Sequence, residues 1–376
     1  MRRRRTQLVA RSDGDPRDFL AGIPGVEPDM SRRALLGVAA SSVLAMSLAT
    51  GPSPFGAVEG HGRVMTGARV GRTDMDAVHG AVAAYSRLDQ RHGGGHARQA
   101  AARYLTAEVA PLLGSRFADE QVRRGMFSAA AELAYLTGWM AFDNAEHSTA
   151  RRYFKESVRL ATEAADQAMA AHTLRAMAHQ AVELGKPHEA LAMAEASVDR
   201  DRYLAACHRE RALLGVVHAR ALATTGLRGA AAATLLRAED DLSHASTGDE
   251  DPARVFFFSE ASLAHETGRT LMDTGDLTGA QAALTHSVQV RKVTPFARTH
   301  AVTLGYLGEV QAKTGDLDRA CETWEAALGS LDGVRSARAR ATVQTMRTTL
   351  APAARGGHVH AAEVGERAAA YLAVTA

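Results

Sequence analysis

Aromatic and basic side chains recur through the middle of the chain, and together they could bind an anionic ligand. An arginine guanidinium binds a carboxylate through two parallel hydrogen bonds, which makes arginine typical of carboxylate recognition. The candidate residues for a ligand or partner groove are Tyr135, Trp139, Arg175, His179, Arg220, His265 and Arg269. Two alternatives stay open, because Trp139 could instead be core between helices and any one of the basic residues could belong to a solvated face.

No catalytic or metal-binding pattern accompanies these residues. The stretch "HGGG" (92–95) resembles an oxyanion loop, but no G-x-S-x-G motif occurs, so we interpret it as a flexible turn between helices. The stretch "GARVGRT" (67–73) lacks the spacer and the lysine of a phosphate loop. His265 and Glu266 do not extend to H-E-x-x-H, and the two cysteines lack zinc-type spacing. We therefore predict no catalytic residue, no metal and no cofactor.

The composition favours a helical protein with little net charge. Hydrophobic residues make up 46% of the 376 residues, aromatic residues only 5%, and alanine is abundant. Alanine with leucine, arginine, glutamate and methionine favours packed helices over sheets. The formal net charge of +2 gives no global attraction to nucleic acid or membrane, although "MRRRR" at the start is a local basic cluster.

Five related segments indicate a repeat array. They are "AEHSTARRYFKES" (145–157), "GKPHEALAMAEAS" (185–197), "GLRGAAAATLLRA" (226–238), "GDLTGAQAALTHS" (275–287) and "GDLDRACETWEAA" (315–327). The sixth residue of each is alanine, and successive alanines lie 40, 41, 49 and 40 residues apart. Small residues also stand twelve positions before and seven after each alanine. Four of the five turns begin with glycine, which can adopt the left-handed conformation that ends a helix.

These positions follow the pattern of tetratricopeptide-like helical hairpins. Small residues let the two helices of a hairpin approach, and larger ones such as Phe154, Leu284 and Trp324 are expected to fill the space between hairpins. We predict an all-α fold of five or six hairpins in a right-handed superhelix. The first helix of each hairpin would form the inner surface that carries the groove residues. Generic amphipathic helices are the alternative, but five copies in phase disfavour it.

The first 75 residues differ from the repeats. Residues 1–30 form a basic segment that we predict to be disordered, and residues 50–75 form a Gly/Pro-rich linker. Between them, residues 31–49 place Arg32 and Arg33 before an apolar run, which is the pattern of a twin-arginine export signal. This run is shorter than the roughly 20 residues of a spanning helix, so no stable membrane span is predicted. The repeat domain follows at 76–352, and a C-terminal capping helix at 353–376.

Three stretches resemble the tetratricopeptide half of a large family of actinobacterial, Streptomyces-type transcriptional regulators. They are "RYLTAEVAPLL", the long run from "FSAAAELAYLTGWMAFD" to "GKPHEALAMAE", and "SEASLAHETGRTLMDTGD". Members of that family carry a Cro/repressor-type helix-turn-helix before the repeats, which has no counterpart here, so direct nucleic-acid binding is not expected. The resemblance implies a cytoplasmic regulator of development or secondary metabolism. Paired arginines between two cytoplasmic domains of such proteins are often labelled as Tat signals.

The sequence leaves hypotheses from different functional classes. The leading one is a non-enzymatic cytoplasmic regulator whose array binds a peptide or protein partner, acidic or ending in a free carboxylate. The alternative is a helical-repeat binding protein exported by the twin-arginine route, and an enzyme of unknown type is the third. Asn144 is the one asparagine in the sequence, so an asparagine clamp on a peptide backbone is not expected. A homodimer stays open as an assembly.

Overall fold

Helices account for most of the described chain. The computed structural model describes residues 69–245 and 251–375. Within those ranges the chain forms no β-strand, only an isolated bridge between Val70 and Phe117. The predicted all-α fold is therefore confirmed. The predicted segments 1–30 and 31–49, with Arg32 and Arg33, lie outside the described residues, as does most of the predicted linker.

Six helical hairpins follow an opening pair of helices. The opening helices are α1 (Arg72–His92) and α2 (Gly94–Tyr104), continued by a π-helical turn (Leu105–Val109) and the short α3 (Ala110–Leu113). The hairpins are α4 (Glu120–Asp143) with α5 (His147–Glu163), α6 (Gln167–Glu183) with α7 (Pro187–Ser197), α9 (His208–Thr224) with α10 (Arg228–Ser243), α11 (Glu260–Thr274) with α12 (Leu277–Val290), α13 (Ala297–Lys313) with α14 (Leu317–Gly329), and α15 (Ala337–Arg355) with α16 (Val359–Val374). The connections carry the short α8 (Arg200–Ala205) and two 3-10 turns, Ala253–Val255 and Thr294–Phe296. Each of these hairpins packs mainly within itself and then against its neighbours, as a repeat array requires.

The small residues of the repeats lie where helices cross, as predicted. The sixth-position alanines are fully buried in every copy: Ala150, Ala190, Ala231, Ala280 and Ala320. A Cβ atom added at Gly308 would lie 2.4 Å from Nε1 of Trp324, whose indole N–H donates to the Gly305 carbonyl at 3.1 Å. Phe154 packs in the same way on Gly138, and Leu284 on Gly268. These large side chains therefore fill the space within hairpins, where the prediction placed them between hairpins.

The first helix closes the array by packing against the later hairpins. Helix α1 contacts α4, α13 and the 3-10 turn before α13. The N–H of Arg335 donates to the His92 carbonyl at 2.7 Å, and the N–H of Gly95 donates to the Arg335 carbonyl at 3.1 Å. Arg298 of α13 hydrogen-bonds at 3.1 Å to Asp89 of α1, which is 209 positions away in the chain. The two ends of the described array thus meet.

The glycines of "HGGG" make this closure sterically feasible. Gly93 separates α1 from α2 with a positive φ of 85°, as a turn would, but Gly94 and Gly95 already belong to α2. A Cβ atom at Gly94 would lie 2.4 Å from the Met140 carbonyl oxygen, and one at Gly93 would lie 2.4 Å from the Arg335 carbonyl oxygen. The expected flexible turn is therefore a tightly packed junction between three parts of the chain.

Two element boundaries differ from the predicted ones. Helix α1 begins at Arg72, within the predicted 50–75 linker. Helix α15 runs through Pro352 to Arg355, across the predicted end of the repeat domain. Helix α16 then pairs with α15 as a sixth hairpin. Among the described helices, none combines the length and the apolar character needed to cross a bilayer.

Candidate functional site

The first helices of the hairpins and α1 surround a central cavity. The space between its walls is about 1000 Å³ including the opening to solvent. Helices α1, α4, α6, α9, α11, α13 and α15 all contribute side chains to the lining. The charged lining residues are Asp89, Glu132, Asp143, Glu266, Arg175, Arg254, Arg291, Arg298 and Arg338. The inner surface of the array therefore lines a partly open cavity in which charged and apolar side chains are mixed.

The structure divides the seven predicted groove residues into two groups. Five of them line the cavity: Tyr135, Trp139, Arg175, His179 and His265. Arg220 lies beside it in an ion-pair cluster, with its Nη1 2.7 Å from Glu183 and its Nε 3.1 Å from Asp273. Arg269 shares Glu183 at 3.5 Å, and its guanidinium carbon lies 3.6 Å from the ring centre of Tyr306. Arg220 and Arg269 thus have partners within the chain.

Arg175 is held in the cavity wall by two neutral acceptors. Its residue surface is only 2% exposed. Its Nη2 donates to the Tyr135 hydroxyl at 2.8 Å and to Nε2 of His172 at 3.2 Å. Its Nε is buried without a hydrogen-bond partner. Arg175 is therefore a buried cation whose direct hydrogen-bond partners carry no negative charge.

A buried chain of polar contacts fixes the orientation of Arg175. His172 Nδ1 lies 2.8 Å from Oε1 of Glu210, and Arg254 holds both oxygens of that carboxylate at 2.8 and 2.9 Å. Burial first, and then the charge of Arg175, lower the pKa of His172 to about 4. The imidazole is therefore neutral at physiological pH. It donates from Nδ1 to Glu210 and leaves Nε2 to accept from Arg175.

Trp139 lies at the centre of a cluster of basic and aromatic groups. The guanidinium carbons of Arg175 and Arg338 lie 5.3 and 5.8 Å from its ring centre, and the His179 ring lies 5.6 Å away. Burial, followed by the charge of Arg338, lowers the pKa of His179 well below its usual value, so this ring is neutral. Within the described ranges, neither Arg175 nor Arg338 has a carboxylate at ion-pair distance. Ring contacts hold both guanidinium groups near Trp139, and Arg338 also lies in the field of the more distant Asp89 and Glu183.

The acidic residues of the cavity are compensated in other ways. Asp89 and Asp143 both bind Arg298, and burial raises the pKa of Asp89 to about 6. Burial likewise raises the pKa of Glu132 to about 7, and its nearest basic partner, His79, lies 4.0 Å away. Protonation and the ion pairs with Arg298 thus reduce the negative charge of the cavity wall. By contrast, Arg175 and Arg338 near Trp139 have no carboxylate at ion-pair distance among the described residues.

Several of these residues were missed by the sequence analysis. Arg338 lies in α15, beyond the five recognised repeats, and Asp89 lies in α1, before them. One signal was available, because a further interval of 41 residues leads from Ala320 to the fully buried Ala361 and marks a sixth hairpin. No such signal exists for α1, whose sequence has no counterpart in the repeats.

The fold and the cavity define a class: an all-α array of helical hairpins closed around a cavity with charged and apolar walls. Among the residues in the described ranges, no three His, Cys, Asp or Glu side chains cluster as metal ligands would. Comparison of the chain with protein-family models and with curated proteins returned no match.

Proposed function

We propose that this protein is a non-enzymatic regulatory protein whose helical array binds a peptide, or a segment of a partner protein, in the central cavity. The observation that carries this proposal is the position of Arg175 and Arg338 around Trp139 without a carboxylate at ion-pair distance among the described residues. A buried charge without a counter-ion costs several kcal/mol, and an anionic ligand would remove that cost. An acidic partner fits the site better than a neutral or basic one.

The regulatory part of the proposal draws on the resemblance of the repeats to actinobacterial transcriptional regulators. A protein of this kind would act on gene expression in development or secondary metabolism through the partner that its array binds. Closure of the array supports such a relay, because residues from α1 and α15 line the same cavity and sense the same ligand. We place the protein in the cytoplasm on the same resemblance.

Affinity capture from cell extract tests the proposal. The wild type is compared with the Arg175→Met/Arg338→Met variant and with a control that replaces two exposed arginines, Arg103→Met/Arg347→Met. We expect the wild type and the control to retain the same protein or peptide, and the cavity variant to lose it. High salt should weaken capture because screening reduces ion pairing. Equal retention by all three proteins at low and at high salt would contradict the proposal.

Export is the alternative location, and it is tested separately. If Arg32 and Arg33 form a working export signal, changing both to lysine should trap the protein inside the cell and prevent shortening of its N-terminus. Cell fractionation combined with mass measurement of the intact protein distinguishes the two locations. A shortened protein outside the membrane in the wild type alone would overturn the cytoplasmic assignment.

A further inference from the structure

We propose that the cavity recognises a single free carboxylate attached to an apolar group, and specifically the C-terminus of a peptide that ends in an apolar residue. In this arrangement Arg175 and Arg338 hold the carboxylate beside Trp139. The inference rests on the proposed function and deepens it by naming the chemical group that the site selects. Arg338 comes from the last hairpin, so the clamp exists only in the closed array.

Arg175 has free donors in a fixed orientation. Tyr135 and His172 occupy its Nη2, whereas its Nη1 has no hydrogen-bond partner in the described chain and its Nε is buried without one. The guanidinium is already desolvated and held by neighbours that bear no charge. Little rotamer freedom is lost when such a group binds a ligand, so the interaction is pre-organised.

Arg338 supplies the second half of the clamp. Its guanidinium carbon lies 5.3 Å from the ring centre of Phe142 and 5.8 Å from that of Trp139. The Arg338 guanidinium makes no hydrogen bond or ion pair within the described residues, and the residue is half-buried at the cavity. An arginine that stacks on two rings keeps its planar edge available for a carboxylate.

The charges around the cavity match a monoanion. Arg254 is neutralised by Glu210, and Asp89 and Asp143 share Arg298, which leaves one negative charge in that group. Arg291 lies in the field of Glu266, and Glu132 is partly protonated at neutral pH because its pKa is about 7. Arg175 and Arg338 therefore leave a surplus of at most about one positive charge, reached when Glu132 is protonated, which a carboxylate balances and a phosphate dianion would exceed.

Apolar side chains complete the lining and indicate what is attached to the carboxylate. They come from α1, α4, α9, α13 and the loop before α11: Val82, Leu136, Leu213, Val217, Phe257, Phe258 and Val302. Binding that removes apolar surface of a ligand from water in this part of the cavity is favoured by the hydrophobic effect. The cavity can thus bury the side chain of an apolar last residue while the arginines hold its carboxylate.

Calorimetry with pools of short synthetic peptides tests the proposal. Each pool has a fixed last residue, apolar or acidic, and is made both as the free acid and as the C-terminal amide. We expect pools that end in an apolar residue to bind as free acids, and amidation to weaken binding about 10- to 100-fold, as the loss of a charge-assisted hydrogen bond implies. Arg338→Met should abolish the difference between acid and amide, whereas Arg347→Met on the same helix should keep it. If the Arg175→Met variant folds, it should also lose the difference between acid and amide. If it does not fold, the result for Arg338→Met alone tests the clamp.

The possible failures are distinguishable. Equal binding of acid and amide pools, or an acid preference that survives in Arg338→Met, overturns the clamp and leaves peptide binding in place. Amidated peptides that bind through an acidic last side chain overturn the selection of a terminal carboxylate. If hexanoate binds as tightly as the best peptide pool, the proposal that the carboxylate belongs to a peptide is wrong. Pools that do not bind at all, together with equal affinity capture by all three proteins, overturn both proposals.

Discussion

Replacement of Arg298 by methionine should weaken the closure of the array in a pH-dependent manner. Arg298 is 4% exposed and is the described basic residue within ion-pair distance of both Asp89 and Asp143. Methionine keeps much of its volume but removes the charge. Removing one partner of a buried ion pair typically costs about 3–5 kcal/mol, because the remaining charges lose their compensation. For a chain of 376 residues that corresponds to a melting temperature lower by about 4 to 8 °C.

The pH dependence follows from Asp89. Burial raises its pKa to about 6 from 3.8, so the folded protein holds this proton more tightly than the unfolded chain. Stability from this group is therefore fully present below pH 3.8 and falls by about 3 kcal/mol as the pH rises to about 6. Without Arg298 the pKa of Asp89 should rise further. The variant should then be closest to the wild type near pH 5 and most destabilised near pH 8.

Thermal melting at both pH values, combined with hydrogen exchange of α1, measures the effect. Arg347→Met serves as the control, because Arg347 is exposed and has no ion-pair partner in the described chain. The double variant Arg298→Met/Asp89→Asn should recover part of the lost stability near pH 8, because the second change removes one uncompensated carboxylate. A single variant that melts within about 1 °C of the wild type at both pH values, with unchanged exchange of α1, would refute the reasoning.

Three further predictions concern single residues. Gly308→Ala should destabilise the protein by about 1–3 kcal/mol in denaturant unfolding, because the added methyl group overlaps Trp324. Unchanged stability would contradict the way in which α13 and α14 cross at this glycine. Gly365→Ala, in the middle of α16 with open space around it, should instead stabilise it by about 0.5–1 kcal/mol, and a loss would mean that α16 packs differently. Glu132→Gln should raise the free energy of unfolding by up to about 3 kcal/mol above pH 7 and by little near pH 4.5, because the pKa of Glu132 is raised to about 7 from 4.5. Equal effects in unfolding experiments at both pH values would argue against a buried, charged Glu132.

The hairpins could be predicted from the sequence because their packing is local and periodic. Ala190 and Ala320 recur in register since a larger side chain at a helix crossing would separate the two helices, and this constraint repeats in each copy. The candidate site was only half predictable. The predicted inner face correctly included Arg175. Its hydrogen-bond partners could not be predicted in the same way, because Tyr135 lies on the preceding hairpin and His172 lies one turn earlier on the same helix. The partnership of Asp89 with Arg298 joins distant parts of the chain and leaves no periodic trace.

The closure of the array has a consequence for the order in which the protein gains its binding activity. A linear repeat array resembles a one-dimensional chain in which each unit folds on its neighbour, so partial arrays can already display a surface. Domains of a nascent chain fold from the N-terminus as synthesis proceeds. Here the cavity has walls from both α1 and α15, and its second arginine, Arg338, is among the last residues of the wall to be made. A nascent or truncated chain that stops before α15 can stack several hairpins and still lack the complete binding site.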